Sequence, residues 1–229
     1  MDDFMSKFEE AHLKKSKRES TFSFVSTSYL NIDDALGGGI PLGKVVEISG
    51  EAGVGKSAFV QDIITQAQQK DLSVVYLDIE RKFDSYWARE RANVNTDDLL
   101  IFEPKNIEGI APACIELIEN RLADIIIFDS VSALNLNCSL KEVLNPLLQK
   151  IVEYNTSLIL LSQVRQDLEN GGLTTPHNTE LDHICNIRIM LKKLSIIKQE
   201  ELIVGKTVEV NIYKNSLSVP CVKQIELFN

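Results

Sequence analysis

The chain has 229 residues, 44% of them hydrophobic and 25% charged, which excludes wholesale disorder and leaves room for one sizeable domain with a short appendage. With 24 Lys and Arg against 33 Asp and Glu, the net charge is −9. The chain as a whole therefore offers no electrostatic attraction to DNA or anionic lipid, and any nucleic-acid contact must come from a local patch.

The predicted elements begin with a polar, charged arm over residues 1–25, carrying a basic cluster at Lys14, Lys15, Lys17 and Arg18. That cluster is either a solvated face or a contact with DNA or a neighbouring subunit. The first ten residues are acidic and polar, unlike a secretory signal, and no apolar run is long enough to span a bilayer. A cytoplasmic protein with no membrane partner is expected. Phe22, Phe24 and Val25 alternate as strand residues do, pairing on this chain or on another.

From residue 45 onward strand and helix alternate. Residues 45–49 form a short apolar strand, and a helix starting near Lys56 buries Phe59, Ile63 and Ala67. Residues 73–78 are an apolar strand that ends in acid, and 99–103 are another. A helix over 108–122 places Ile110, Cys114, Leu117, Ile118 and Leu122 on one face. Residues 124–129 read as a buried strand. Leu140, Val143, Leu144, Leu147, Ile151 and Val152 make a helical stripe, and 157–162 are again a buried strand. The last third changes rhythm: 184–191, 207–213 and 221–228 read as strands with no helices between them. Repeated strand–helix–strand units predict an α/β fold, a mostly parallel central sheet flanked by helices, with antiparallel strands at the C-terminal end. The four cysteines (Cys114, Cys138, Cys185 and Cys221) are far apart and read as free thiols of a reducing compartment. His177 and His183 lack companions at metal-ligand spacing.

The segment Gly50-Glu51-Ala52-Gly53-Val54-Gly55-Lys56-Ser57 fits GxxxxGK[ST] in full. It follows a predicted strand and opens a predicted helix, the context this phosphate-binding (P-loop, Walker A) motif requires. Its glycines let successive backbone N–H groups turn inward around a phosphate, and the helix N-terminus adds partial positive charge. Lys56 then reaches the β- and γ-phosphates, and the Ser57 hydroxyl ligates Mg²⁺. ATP and Mg²⁺ are the expected ligands. Asp129, at the end of the apolar run Ile125-Ile126-Ile127-Phe128, has the Walker B pattern of an acid that supports the metal. Asp78 and Glu80 both follow the strand beside the phosphate-loop strand, and either could activate the attacking water.

Residues 26–50, STSYLNIDDALGGGIPLGKVVEISG, resemble the lead-in to the phosphate loop of the RecA-type recombinases, most closely their bacterial branch. The likeness runs from about Val25 to the C-terminus. It implies a RecA-like P-loop NTPase core over residues 26–229, preceded by an arm that docks on the next subunit. Leu77-Asp78-Ile79-Glu80 is similar to the family's D-A-E, whose glutamate polarises water, and so favours Glu80 as catalytic base. Asp84-Ser85-Tyr86-Trp87-Ala88-Arg89 lies where the family has D-P-x-Y-A-R, which makes Asp84 and Trp87 the implied adenine contacts; a core or interface role for Trp87 is the other reading. Leu160-Leu161-Ser162-Gln163 resembles the strand ending in a glutamine that senses the γ-phosphate. Tyr213-Lys214-Asn215-Ser216 resembles K-N-K, whose lysines reach the neighbour's γ-phosphate, so Lys214 is expected to act in trans. That arrangement implies head-to-tail self-association, as a filament on single-stranded DNA.

The sequence also departs from the family. The second lysine of K-N-K is Ser216. The expected second DNA-binding loop, between Val164 and Cys185, has Arg165 as its one Arg or Lys, against Asp167, Glu169, Glu180 and Asp182. It has no aromatic residue, whereas single-strand binding combines cations with stacking. The first loop, after Ser130, is shortened, and the sequence stops at Asn229 without the C-terminal domain of full-length bacterial members. Two functions follow from this balance. One is a DNA-dependent ATPase of homologous recombination and repair. The other is a RecA-like accessory ATP-binding protein that partners a recombinase or polymerase and has little DNA affinity of its own.

Overall fold

The computed structural model describes residues 23–134, 140–166 and 173–229. The basic cluster of the arm, Phe22, Cys138, and the acids Asp167 and Glu169 lie outside the described residues.

Eight strands form one sheet in the order β12-β11-β10-β3-β7-β6-β4-β5. Its parallel part consists of β3 (Val45–Gly50), β4 (Val74–Asp78), β5 (Leu100–Phe102), β6 (Ile125–Asp129) and β7 (Ser157–Gln163). Strand β10 (Ile187–Gln199) joins β3 in parallel and then turns back through β11 (Leu202–Asn215) and β12 (Cys221–Phe228), both antiparallel. The expected mostly parallel sheet with an antiparallel C-terminal end is thus what the chain forms.

The central strands are continuous apolar runs because both of their faces are covered. Successive side chains alternate between two cores. Ile125 and Ile127 enter one core with Val46, Ile48, Ile159 and Leu161. Ile126 and Phe128 enter the other with Val45, Leu158 and Leu160. The first core is closed by helix α2 (Lys56–Gln68), whose Phe59, Val60, Ile63, Ile64 and Ala67 are buried. Helices α4 (Ile110–Glu119) and α5 (Leu140–Tyr154) close the second. Two stripe residues fall elsewhere: Val152 is 66% exposed, and Leu122 lies past the end of α4, 49% exposed.

Three short helices complete the described fold: α1 (Leu30–Leu36), α3 (Ser85–Ala92) and α6 (Asn178–Ile184). β1 (Phe24–Val25) pairs antiparallel with β2 (Ile40–Pro41), so this early strand pairs on its own chain. β8 (Arg165–Gln166) and β9 (Leu173–Thr174) form a second small antiparallel pair.

Register brings the chemistry level. Gly50 on β3 pairs with Gln163 on β7, and Asp78 on β4 pairs with Asp129 on β6. The C-terminal ends of four neighbouring parallel strands therefore open on the same side, where ligands bind in sheets of this kind.

Candidate nucleotide site

The phosphate loop leaves β3 and returns as the first turn of α2. Gly53 has φ +71° and Gly55 has φ +115°, a left-handed backbone that a side chain disfavours. A Cβ at Gly55 would also stand 2.6 Å from Leu227 Cδ1 of β12, so the backbone conformation demands glycine and a side chain there would in addition displace the Leu227 methyl. Lys56 Nζ donates to the carbonyls of Gly50 (2.8 Å) and Glu51 (2.9 Å). Burial lowers its pKa, opposed by the charges of Asp129 and Glu80.

A cleft of about 400 Å³ gathers Ala52, Gly53, Gly55, Lys56 and Ser57 with Glu80, Asp84, Trp87, Asp129 and Gln163. Asp129, at the end of β6, accepts a short hydrogen bond from the Tyr76 hydroxyl. Burial raises its pKa, helped by the negative charges of Glu80 and Asp78, against the Tyr76 bond and Lys56. A half-buried carboxylate and the exposed Ser57 hydroxyl, both lining this cleft, are the hard-oxygen donors that suit Mg²⁺.

The two acids after β4 separate by geometry. Asp78 is buried, and its oxygens accept the backbone N–H groups of Lys82 (3.0 Å) and Phe83 (2.8 Å). It braces the turn between β4 and α3 and does not line the cleft. Glu80 does line it, accepting from Ser130 Oγ at 2.5 Å and Lys82 Nζ at 2.5 Å. Burial raises the Glu80 pKa, but the Lys82 and Ser130 hydrogen bonds and the charges of Lys82 and Lys56 outweigh it, and the net shift is downward.

Asp84 is the N-cap of α3, accepting from the Trp87 N–H at 2.9 Å. The Trp87 ring lies half-buried, with the Arg91 guanidinium 5.7 Å from its centroid. Arg91 in turn makes a paired contact with Asp62 at 2.9 and 3.0 Å and donates to the Phe228 carbonyl at 2.8 Å. These bonds tie α3 to α2 and to the end of β12. Gln163 ends β7, and its backbone N–H donates to Ser132 Oγ at 2.7 Å.

A family model described as the RecA N-terminal domain matches residues 5–228. The chain belongs to the RecA family. Among its relatives, Protein RecA of Mannheimia haemolytica is 29% identical over 216 residues, covering 86% of this chain and 58% of that protein. Protein RecA of Leptospira meyeri is 30% identical over 223 residues, covering 89% and 57%. Protein RecA of Rhodopseudomonas palustris is 30% identical over 234 residues, covering 93% and 66%. The chain spans about three-fifths of the length of these RecA relatives.

Against the RecA pattern, Lys214 stands apart from the cleft. Its Nζ donates to the Asp182 carbonyl and lies 4.0 Å from the Asp182 carboxylate. Of the acids between Val164 and Cys185, Glu180 bonds the His177 ring at 3.0 Å, and Asp182 meets Arg188 at 3.2 Å while its side chain stays 61% exposed. Two cations at the cleft were not singled out in the sequence. Lys206 Nζ on β11 donates to the Gly53 carbonyl at 3.0 Å, from 153 residues away, and only the fold reveals it. Lys82 lies between motif positions that the family pattern reads, so no motif points to it.

Proposed function

We propose that this chain is a RecA-like DNA-dependent ATPase acting in homologous recombination and DNA repair, in the cytoplasm and on the nucleoid where it binds DNA. The observation that carries the reading is the single cleft in which Lys56, Ser57, Glu80, Asp129, Gln163, Asp84 and Trp87 meet. Lys56 would bind the β- and γ-phosphates, with the phosphate-loop N–H groups around them. Asp84 and Trp87 would hold adenine, by hydrogen bond and by stacking. Ser57 and Asp129 would hold Mg²⁺, which when bound supplies positive charge to the phosphate oxygens. Glu80 would take the proton of the attacking water as its oxygen bonds the γ-phosphorus and ADP leaves. Gln163, at the end of β7 and before the second loop, would report the γ-phosphate to the DNA-binding side. Lys214 would complete the site of a neighbour in a head-to-tail filament on single-stranded DNA, with residues 1–25 as docking arm and 26–229 as core.

Steady-state ATP hydrolysis, measured with and without single-stranded DNA, tests this. DNA should stimulate turnover, and Lys56→Ala should reduce it by roughly 10²-fold or more, the scale of removing one preorganised charge from a phosphoryl-transfer site. Nucleotide binding with slow turnover and no response to DNA would overturn it. Ser216, in place of the second trans lysine, favours the accessory reading in that event, and a partner supplying the missing cation would be sought.

A further inference from the structure

The placement of Lys82 carries a step beyond that function. The backbone of Lys82 is fixed: its N–H donates to the buried Asp78 carboxylate at 3.0 Å, just after Arg81 at φ +54°. Its side chain is 71% exposed, yet the ammonium sits 2.5 Å from Glu80 Oε2, on a carboxylate only 16% exposed. Ser130 Oγ occupies the other oxygen, Oε1, at 2.5 Å. Lys56 is turned to the loop carbonyls, so Lys82 is the cation bonded directly to the carboxylate. A general base needs a free oxygen within hydrogen-bond reach of the proton it takes, and enough basicity to take it. Here both oxygens accept short bonds, one of them from a full charge.

We propose that Lys82 is a latch that holds Glu80 out of the reaction until their ion pair opens, while Ser130 keeps the carboxylate oriented. The proposal rests on the reading of Glu80 as the catalytic base. Lys82 has the mechanics of a latch: an anchored backbone, a long flexible stem and a head free to swing into solvent. Lys82 is a positioning residue, since it acts through Glu80.

The test compares wild type with Lys82→Ala, Lys82→Arg, Glu80→Gln and the Lys82→Ala/Glu80→Gln double variant. Single-turnover hydrolysis is followed without DNA, with enzyme in excess over ATP and Mg²⁺ saturating. Nucleotide binding is read from Trp87, the one tryptophan of the chain. Opening an exposed ion pair should raise the rate of Lys82→Ala about two- to fivefold. Lys82→Arg, which keeps the charge, should stay at the wild-type rate, and the double variant should show no gain over Glu80→Gln. An unchanged or slower rate in Lys82→Ala, or a gain that Lys82→Arg shares, overturns the latch while an active wild type leaves the ATPase reading standing. If no variant turns over ATP although Trp87 reports binding, the ATPase reading fails and takes the latch with it.

Discussion

Asp84 serves local folding and, on the proposed function, recognition. One oxygen accepts the Trp87 N–H at 2.9 Å and so starts α3; the residue is otherwise exposed on the cleft. An N-cap satisfies one orphan donor of the helix, and losing it costs about 1 kcal/mol. The cap also sets where the Trp87 ring stands. Folding and adenine recognition can be separated by choice of side chain. Asp84→Ala should lower stability by about 1 kcal/mol and erode the preference for ATP over GTP. Asp84→Ser keeps a capping oxygen but shortens its reach, so it should restore stability without restoring base preference. Urea denaturation and ATP–GTP competition read the two effects. Recovery of both by Ser would assign Asp84 to the helix alone.

At the scale of elements, the least ordinary contact lies between neighbouring strands. Arg188 on β10 and Glu47 on β3 are register partners, 2% and 0% exposed at the side chain and 2.5 Å apart. Arg188 also donates to Asn178 at 2.8 Å and Thr175 at 3.3 Å, and its guanidinium lies 5.2 Å from the Tyr213 ring centroid. It therefore links the phosphate-loop strand to the chain segment that follows β9. A buried pair gains little net stability over an apolar pair, but breaking it strands a charge. Arg188→Met should destabilise the fold by about 3–5 kcal/mol, and adding Glu47→Leu should recover most of that loss. Additive losses in that thermodynamic cycle would show that the two charges do not depend on each other. Such a pair is invisible in sequence: Glu47 falls inside the family-like segment 26–50, but nothing there points to Arg188, 141 residues away. The central strands were legible because burial on both faces writes itself as an unbroken apolar run. The helices α1, α3 and α6, of seven or eight residues, are too short to show a stripe. β10 and β11 run to 13 and 14 residues, longer than expected, because their outer parts leave the core and mix lysine with exposed Leu194, Ile196, Leu202 and Ile203. Lys56, Ser57 and Asp129 were readable from local context. Lys206 and Leu227 meet the phosphate loop only through the folding of the distant sheet.

For the molecule as a whole, the question is where independent folding stops and assembly begins. Val25 is fully buried and belongs to the main core. Phe24 lies over Gly38, where a Cβ would come within 2.9 Å of its ring, and its carbonyl accepts from Lys70 at 2.7 Å. The Leu42 N–H donates to the Ser23 carbonyl at 2.8 Å. The chain from Ser23 onward is thus knit into the domain by β1–β2 pairing, while the basic cluster lies upstream. If the upstream segment serves the next subunit, as proposed, two truncations should behave differently. Removal of residues 1–22 should abolish ATP-dependent assembly, seen by light scattering or sedimentation. Removal of residues 1–25 should cost about 1.5–3 kcal/mol of stability relative to the shorter truncation, the scale of losing one buried valine, with the β1–β2 hydrogen bonds lost besides. Assembly that survives the shorter truncation would put the subunit contact elsewhere on the core. The exposed edge strand β5, with Leu100 and Ile101 at 47% and 40% exposure, would then be the next surface to mutate, because an unpaired edge that carries apolar side chains needs a cover.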